Sequence, residues 1–261
     1  MTLATPKLVE VHAHICDPCF DPDRDRVLER ARQAGVEAIV AVGENLEDAQ
    51  KNLELAKRHP ALKPAAGLYP THLDLHLADK MAAFIRRQRA SLVAIGEVGL
   101  DYWVVKDDAE KERQREIFKL FVVLAKELNL PLNVHSRSAG RQTIALLLEN
   151  GAPKVQLHAF DGKAGAALPA VEAGYFFSIP PSVVRSRQKQ KLVRRLPLSC
   201  LLVETDSPVL GPAPNERNEP ANIERSIKAI AALKDLDEQE VIAAVSENTE
   251  RLYGKLTADI K

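Results

Sequence analysis

The chain has 261 residues, 46% of them hydrophobic and 28% charged, with 36 Lys plus Arg against 36 Asp plus Glu. That length buries a sizeable core, and a formal charge of zero excludes a global basic field, so a nucleic-acid substrate requires a local basic patch. No apolar run approaches the ~20 residues of a membrane helix, MTLATPK does not read as a secretory leader, and three cysteines make no disulfide framework. The expected setting is therefore the cytoplasm, with the nucleus also open in a eukaryote, and a monomer without membrane attachment.

The first apolar run, LVEVHAH (8–14), ends on His12 and His14, which share one face of a strand. The CDPC that follows lacks further zinc ligands nearby and reads as two loop thiols, Cys16 and Cys19. DPDRDRVLERARQAG predicts a helix with Asp21 as N-cap, Pro22 at the first position and Gly35 as the stop. Short apolar runs then recur: AIVAVG (38–43), LKPAAGLY (62–69) and LVAIGEVGLD (92–101). Ile117, Leu120, Phe121, Leu124 and Leu128 recur at helical spacing and predict a helix over 108–128. LPLNVHS (130–136) precedes a helix that stops at Gly151. KVQLHAF (154–160), YFFSIPP (175–181) and CLLVETD (200–206) complete the series, and the proline-rich stretch from Pro208 to Pro220 reads as a rigid loop.

Eight short strands buried on both faces, alternating with helices, predict a (β/α)₈ TIM barrel as one domain over 1–261. A doubly wound open sheet is the alternative. In a barrel the strand ends bring His12, His14, Glu97, His135, His158 and Asp206 to one mouth. Each residue alone has a structural explanation, such as a hydrogen-bonded imidazole or a helix cap. Together, four imidazoles and two carboxylates are costly to bury without cations, and divalent metals meet that cost. The expected arrangement is two ions, one on His12, His14, Glu97 and Asp206 and one on Glu97, His135 and His158, with Glu97 bridging. Such a pair activates a hydroxide at neutral pH. The donor set admits zinc, manganese or magnesium.

Around this centre Asp206 is the expected proton acceptor. Arg137 and Arg141 are candidate phosphate ligands, with solvated surface arginines as the alternative. Trp103 is a candidate to stack on a base. Arg185, Arg187 and Lys189, within RSRQKQKLVRR (185–195), are candidates to touch a DNA backbone or else line a solvated helix face.

HAH after the first strand, GEVGLDY (96–102), NVHSR (133–137), HAF (158–160) and ETDSP (204–208) resemble, in order, the motifs of the TatD family of metal-dependent deoxyribonucleases. The resemblance runs from residue 8 to ENTERLYG (247–254). NVHSRSAGR, HAFDG and GYFFSIPPS are most similar to the subgroup of TatD DNase domain-containing protein 3. It implies an amidohydrolase-like metal barrel and a DNA substrate, cut as a 3′-to-5′ exonuclease and at abasic sites. Carried over by motif, the ligands are the same six residues. Two positions depart from the pattern: Tyr69 stands where the family usually has histidine, with His72 three residues on, and HAFDG has Ala159 and Asp161 where HCFSG is frequent. The alternative activity is hydrolysis of a small amide, lactone or phosphoester, because fold alone does not choose the substrate. A catalytically silent DNA-binding scaffold is the third class, and loss of a ligand would be its mark.

Overall fold

The computed structural model describes residues 8–257. The MTLATPK segment, on which the reading of no leader rests, lies outside the described residues. Eight strands run in sequence order around one parallel sheet: β1 (Leu8–Ala13), β2 (Val36–Ala41), β3 (Leu62–Ala66), β4 (Ala94–Gly99), β5 (Leu132–His135), β6 (Val155–Leu157), β7 (Phe176–Ile179) and β8 (Leu201–Val203). Helices α1 (Arg24–Gln33), α2 (Leu46–Arg58), α3 (Leu75–Gln88), α4 (Asp108–Leu128), α5 (Gly140–Glu149), α6 (Leu168–Glu172), α7 (Arg187–Arg195), α8 (Ile223–Lys234) and α9 (Glu238–Tyr253) follow the strands. This is the TIM barrel, not the open sheet. The seam between β8 and β1 is joined at its top, where His14 N–H donates to Ser207 O at 2.8 Å and Asp206 N–H to His12 O at 2.9 Å. Below that, one Glu10 carboxylate oxygen accepts the N–H groups of both His12 and Thr205, at 2.9 Å each.

Two clusters fill the molecule. The larger packs outward-facing strand residues such as Ile95, Leu132 and Val134 against Ile117, Phe118 and Phe121 of α4. Each such side chain, fully buried, is worth about 1.5–3 kcal/mol. The smaller joins Val9, Val11, Val40, Ala94, Phe176 and Leu202 to Leu252 and Leu256 near the chain's end.

Helix α4 has the predicted bounds because Asp107 caps it, accepting from Ala109 N and Glu110 N at 2.9 and 3.1 Å. Helix α1 differs: it starts at Arg24 with Asp23 in the cap position, not at Pro22 after Asp21. Residues Pro18–Phe20 form a short 3₁₀ turn that takes up the chain before it. Asp21 instead pairs with Arg24 and Lys51. Gly35 does end the helix, at φ +84°. The strands also stop earlier than their apolar runs. Residues 14, 67–69, 100–101, 136, 158–160 and 204–206 lie beyond the ladders, and this is the end where the site forms. No helix among the described residues is long and apolar enough to cross a membrane.

Candidate metal centre

All six candidate metal ligands converge. His12 lies in β1 and His135 ends β5, while His14, His158 and Asp206 sit just past β1, β6 and β8. Glu97 lies inside β4, which continues to Gly99 rather than ending at the carboxylate. At Gly99 the chains of β4 and β5 approach so closely that a Cβ there would stand 2.0 Å from His135 O. Only glycine permits that approach at φ +147°, and it sets Glu97 against His135.

Glu97 divides its carboxylate between two pairs of imidazoles. Oε1 lies 2.7 Å from His135 Nδ1 and 2.9 Å from His158 Nε2. Oε2 lies 3.3 Å from His14 Nε2 and 3.7 Å from His12 Nε2. Asp206 Oδ1 stands on the second pair, 3.4 Å from His12 Nε2 and 3.5 Å from His14 Nε2. The atoms of His12, His14 and Glu97 lie close enough to share one ion, and so do those of Glu97, His135 and His158.

Tautomers and charge fit a metal. Asn133 Nδ2 donates to Val11 O at 2.9 Å, which turns its Oδ1 toward His12 Nδ1, 2.8 Å away. His12 then carries a proton on Nδ1 and turns Nε2 into the site, where a bound ion would take its lone pair. Asp101 Oδ2 does the same for His135, accepting from Nε2 at 3.0 Å and leaving Nδ1 for the centre. Such partners are how metal-binding imidazoles are oriented. His12 Nε2 and His14 Nε2 face each other at 3.3 Å, a contact that requires a cation or proton between them and their carboxylates. Burial acts to depress the His14 imidazolium, but hydrogen bonds to Asp206 and Glu97 outweigh it and raise it to about 10. Burial is likewise outweighed at His158, raised by the charge of Glu97 and bonds to Glu204 and Glu97, and at His135, raised by Asp101 and Glu97. Glu97 is held well below the carboxylate range: burial opposes this, and the charge of His158 with the bonds of three histidines prevails. The site is built for positive charge.

The sequence reading missed the residues beneath. Asn133, Gln156, Ser178 and Glu204 are all fully buried. Glu204 accepts from Ala159 N at 2.7 Å and Ser178 Oγ at 2.6 Å, and its Oε2 lies 3.7 Å from His158 Nδ1. Gln156 Nε2 donates to Ser178 Oγ at 2.9 Å, and the Tyr253 hydroxyl reaches Gln156 and Asn133. Replacing Asn133 by Leu is expected to weaken divalent-ion affinity about 10–100-fold, the scale of a lost orienting partner. Competition with a chromophoric chelator measures it, with thermal melting as the check on folding.

The outer residues divide. The centre opens into a cleft of about 620 Å³ lined by Tyr69, Arg137, Asp161, Lys189 and Asp206, among others. Arg137 is exposed in the cleft wall, its guanidinium 5.2 Å from the Trp103 ring centroid. Trp103 is 58% exposed, on a turn whose N–H groups at Trp103 and Val104 both bond Asp101 Oδ1 at 2.9 Å. Arg141 lines a separate neighbouring groove with Ser138 and Gly162. Arg185 and Arg187 are exposed, but Lys189 is buried, so the three do not form one surface patch. The cause is helical phase: Lys189, Leu192 and Val193 share the inward side of α7. Tyr69 stands edge-on to His135 with ring centroids 5.0 Å apart, and burial, with the charges of Glu97 and Asp101, keeps its phenol protonated. His72 joins none of the ion-sharing groups among the described residues, nor do Cys16 and Cys19, which are free thiols.

Four imidazoles around a shared carboxylate, at the C-terminal mouth of a parallel barrel, define a metal-dependent hydrolase barrel. The profile of the family described as TatD related DNase matches residues 9–254. A human relative named Deoxyribonuclease TATDN3 is 46% identical, over 98% of this chain and 98% of its own. An Erwinia tasmaniensis relative named 3′-5′ ssDNA/RNA exonuclease TatD is 33% identical, over 94% and 99%. The crystal structure of YJJV, a TatD homolog from Escherichia coli, superposes with a TM-score of 0.88 at 28% identity, covering 96% of this chain and 99% of that one. The chain belongs to the TatD family.

Proposed function

We propose that the protein hydrolyses phosphodiester bonds of DNA at a centre of two divalent ions, acting from 3′ ends and at abasic sites. The observation that carries this reading is the split carboxylate of Glu97, one oxygen on His12 and His14 and the other on His135 and His158. His12, His14, Glu97 and Asp206 would hold one ion, and His135, His158 and Glu97 the other. Bound there, zinc, manganese or magnesium supplies Lewis acidity toward a phosphoryl oxygen and lowers the pKa of water.

The chain's own residues do the rest. Asp206, held ionised against the opposing effect of burial by bonds to His12 and His14, takes the proton of the attacking water. Arg137 clamps a phosphate oxygen from the cleft wall. Trp103, beside it, offers an aromatic surface to a base. Arg185 and Arg187 meet backbone phosphates farther out, and Arg141 the neighbouring groove. The names of the human and Erwinia relatives support a DNA substrate.

The test is incubation of the metal-loaded protein with a 5′-labelled oligonucleotide, a duplex with one abasic site, and a panel of small amides and lactones. Shortening from the 3′ end and incision at the abasic position are expected, both stopped by chelator and restored by added divalent ion. Turnover of an amide or lactone with no loss of DNA would overturn the proposal in favour of a small-molecule hydrolase.

A further inference from the structure

Helix α7 carries a buried charge with no direct ion pair among the described residues. Lys189 is only 7% exposed, yet it lines the cleft together with Arg137, His158 and Asp206. One N–H of its ammonium donates to Ala159 O at 2.7 Å. An ammonium has three donors, and no carboxylate among the described residues closes an ion pair with it. The charges that reach it through space are those of Glu204, Asp161 and Asp206, which favour the ammonium, and of Arg185, which opposes it. Each of those carboxylates is engaged elsewhere: Glu204 by Ala159 N and Ser178, Asp161 by Ser138 N, Asp206 by His12 and His14.

A cation withdrawn from water with one carbonyl as hydrogen-bond partner, and carboxylates acting on it only from a distance, has donors left to satisfy. Burial accordingly pushes its pKa down. Anchoring of α7 does not explain it, because Gln188 already ties the helix to the same loop. Its Nε2 donates to Gly162 O at 2.6 Å and to Phe160 O at 3.3 Å. What remains is an anion arriving in the cleft.

We propose that Lys189 is an anion-binding residue of the cleft, whose remaining N–H donors take a phosphate oxygen of the substrate alongside Arg137. This rests on the phosphodiesterase reading for the identity of the substrate but not for the site itself. It assigns Lys189 a place beside the metal centre rather than on an outer basic patch. The tie to Ala159 O, one residue past His158, sets the ammonium relative to the centre.

The probe is inorganic phosphate, titrated against metal-loaded wild type and Lys189→Met, which keeps the stem and removes the charge. Phosphate affinity is expected to fall about 10–100-fold, the range of one lost hydrogen bond to a charged group, with metal content unchanged. The Michaelis constant for an oligonucleotide should rise with it. A second measurement needs no variant: in the wild type, phosphate should slow acetylation of Lys189, read by mass spectrometry, relative to exposed Lys191. Phosphate binding through Lys189 without any DNA hydrolysis supports the subsite and overturns only the nuclease reading. Equal phosphate affinity in a folded, metal-replete Lys189→Met protein, or no protection of Lys189 by phosphate, overturns the subsite itself.

Discussion

Replacing Glu97 by Gln is expected to remove at least one divalent ion per chain and to slow DNA hydrolysis by at least about a hundredfold, the scale of losing a central electrostatic group. The substitution keeps the shape of the side chain and removes its charge. In the native arrangement each carboxylate oxygen faces two imidazole nitrogens, at 2.7 and 2.9 Å on one side and 3.3 and 3.7 Å on the other. A carboxamide has one acceptor oxygen and one NH₂ donor. Whichever way it turns, its donor meets the lone pairs that Asn133 or Asp101 has aimed inward, and one ion site loses its anionic ligand. The asymmetry is steep because the group is 1% exposed, where water cannot replace what is lost. Elemental analysis of gel-filtered protein, paired with oligonucleotide rates and a far-ultraviolet spectrum, measures the outcome. Wild-type metal content in a folded Glu97→Gln protein would show that Glu97 bridges nothing.

The barrel was legible because its strands are buried on both faces and read as short apolar runs, and the site was legible because those runs end in ionisable residues. The same runs misled about where strands stop. Their last residues, such as His14, Asp101, His158 and Asp206, are there to line the mouth and lie past the end of the ladder. The layer beneath the centre left a readable trace that the sequence reading passed over. Asn133, Gln156 and Glu204 each lie two residues before His135, His158 and Asp206, and in β5 strand alternation puts Asn133 on the same face as His135. A polar residue two positions before a ligand, inside an apolar run, must find a buried partner, and that is what orients the ligand. Other features depend on contacts distant in sequence. Asp21 looks like a better helix cap than Asp23 until Lys51, thirty residues on, is seen to engage it. Lys189 looks like one charge of six in a basic segment, and only the docking of α7 on the 158–162 loop buries it.

Changing Asp206 to Asn should leave the fold and most of the metal in place, yet slow hydrolysis at least about a hundredfold even at saturating metal, the range of a lost general base. Retention of the fold follows from the backbone. Asp206 sits at φ +54°, a left-handed conformation that asparagine and aspartate adopt more readily than other side chains, and its N–H to His12 O is untouched. Retention of metal is expected from the ligand count, since His12, His14 and Glu97, whose atoms lie close enough to share one ion, remain. What disappears is a carboxylate kept ionised in a buried cleft. Burial favours the neutral acid, and hydrogen bonds with His12 and His14, with the charge of His158, reverse that preference. An amide at the same place can still accept a hydrogen bond from a water, but it cannot take its proton. The two carboxylates of the centre are therefore expected to fail differently. The Glu97 variant loses ions, and added metal restores part of its rate. The Asp206 variant keeps its ions, and added metal restores nothing. Full recovery of the Asp206→Asn rate in excess divalent ion would reduce Asp206 to a ligand and move the proton-accepting role to another group in the cleft.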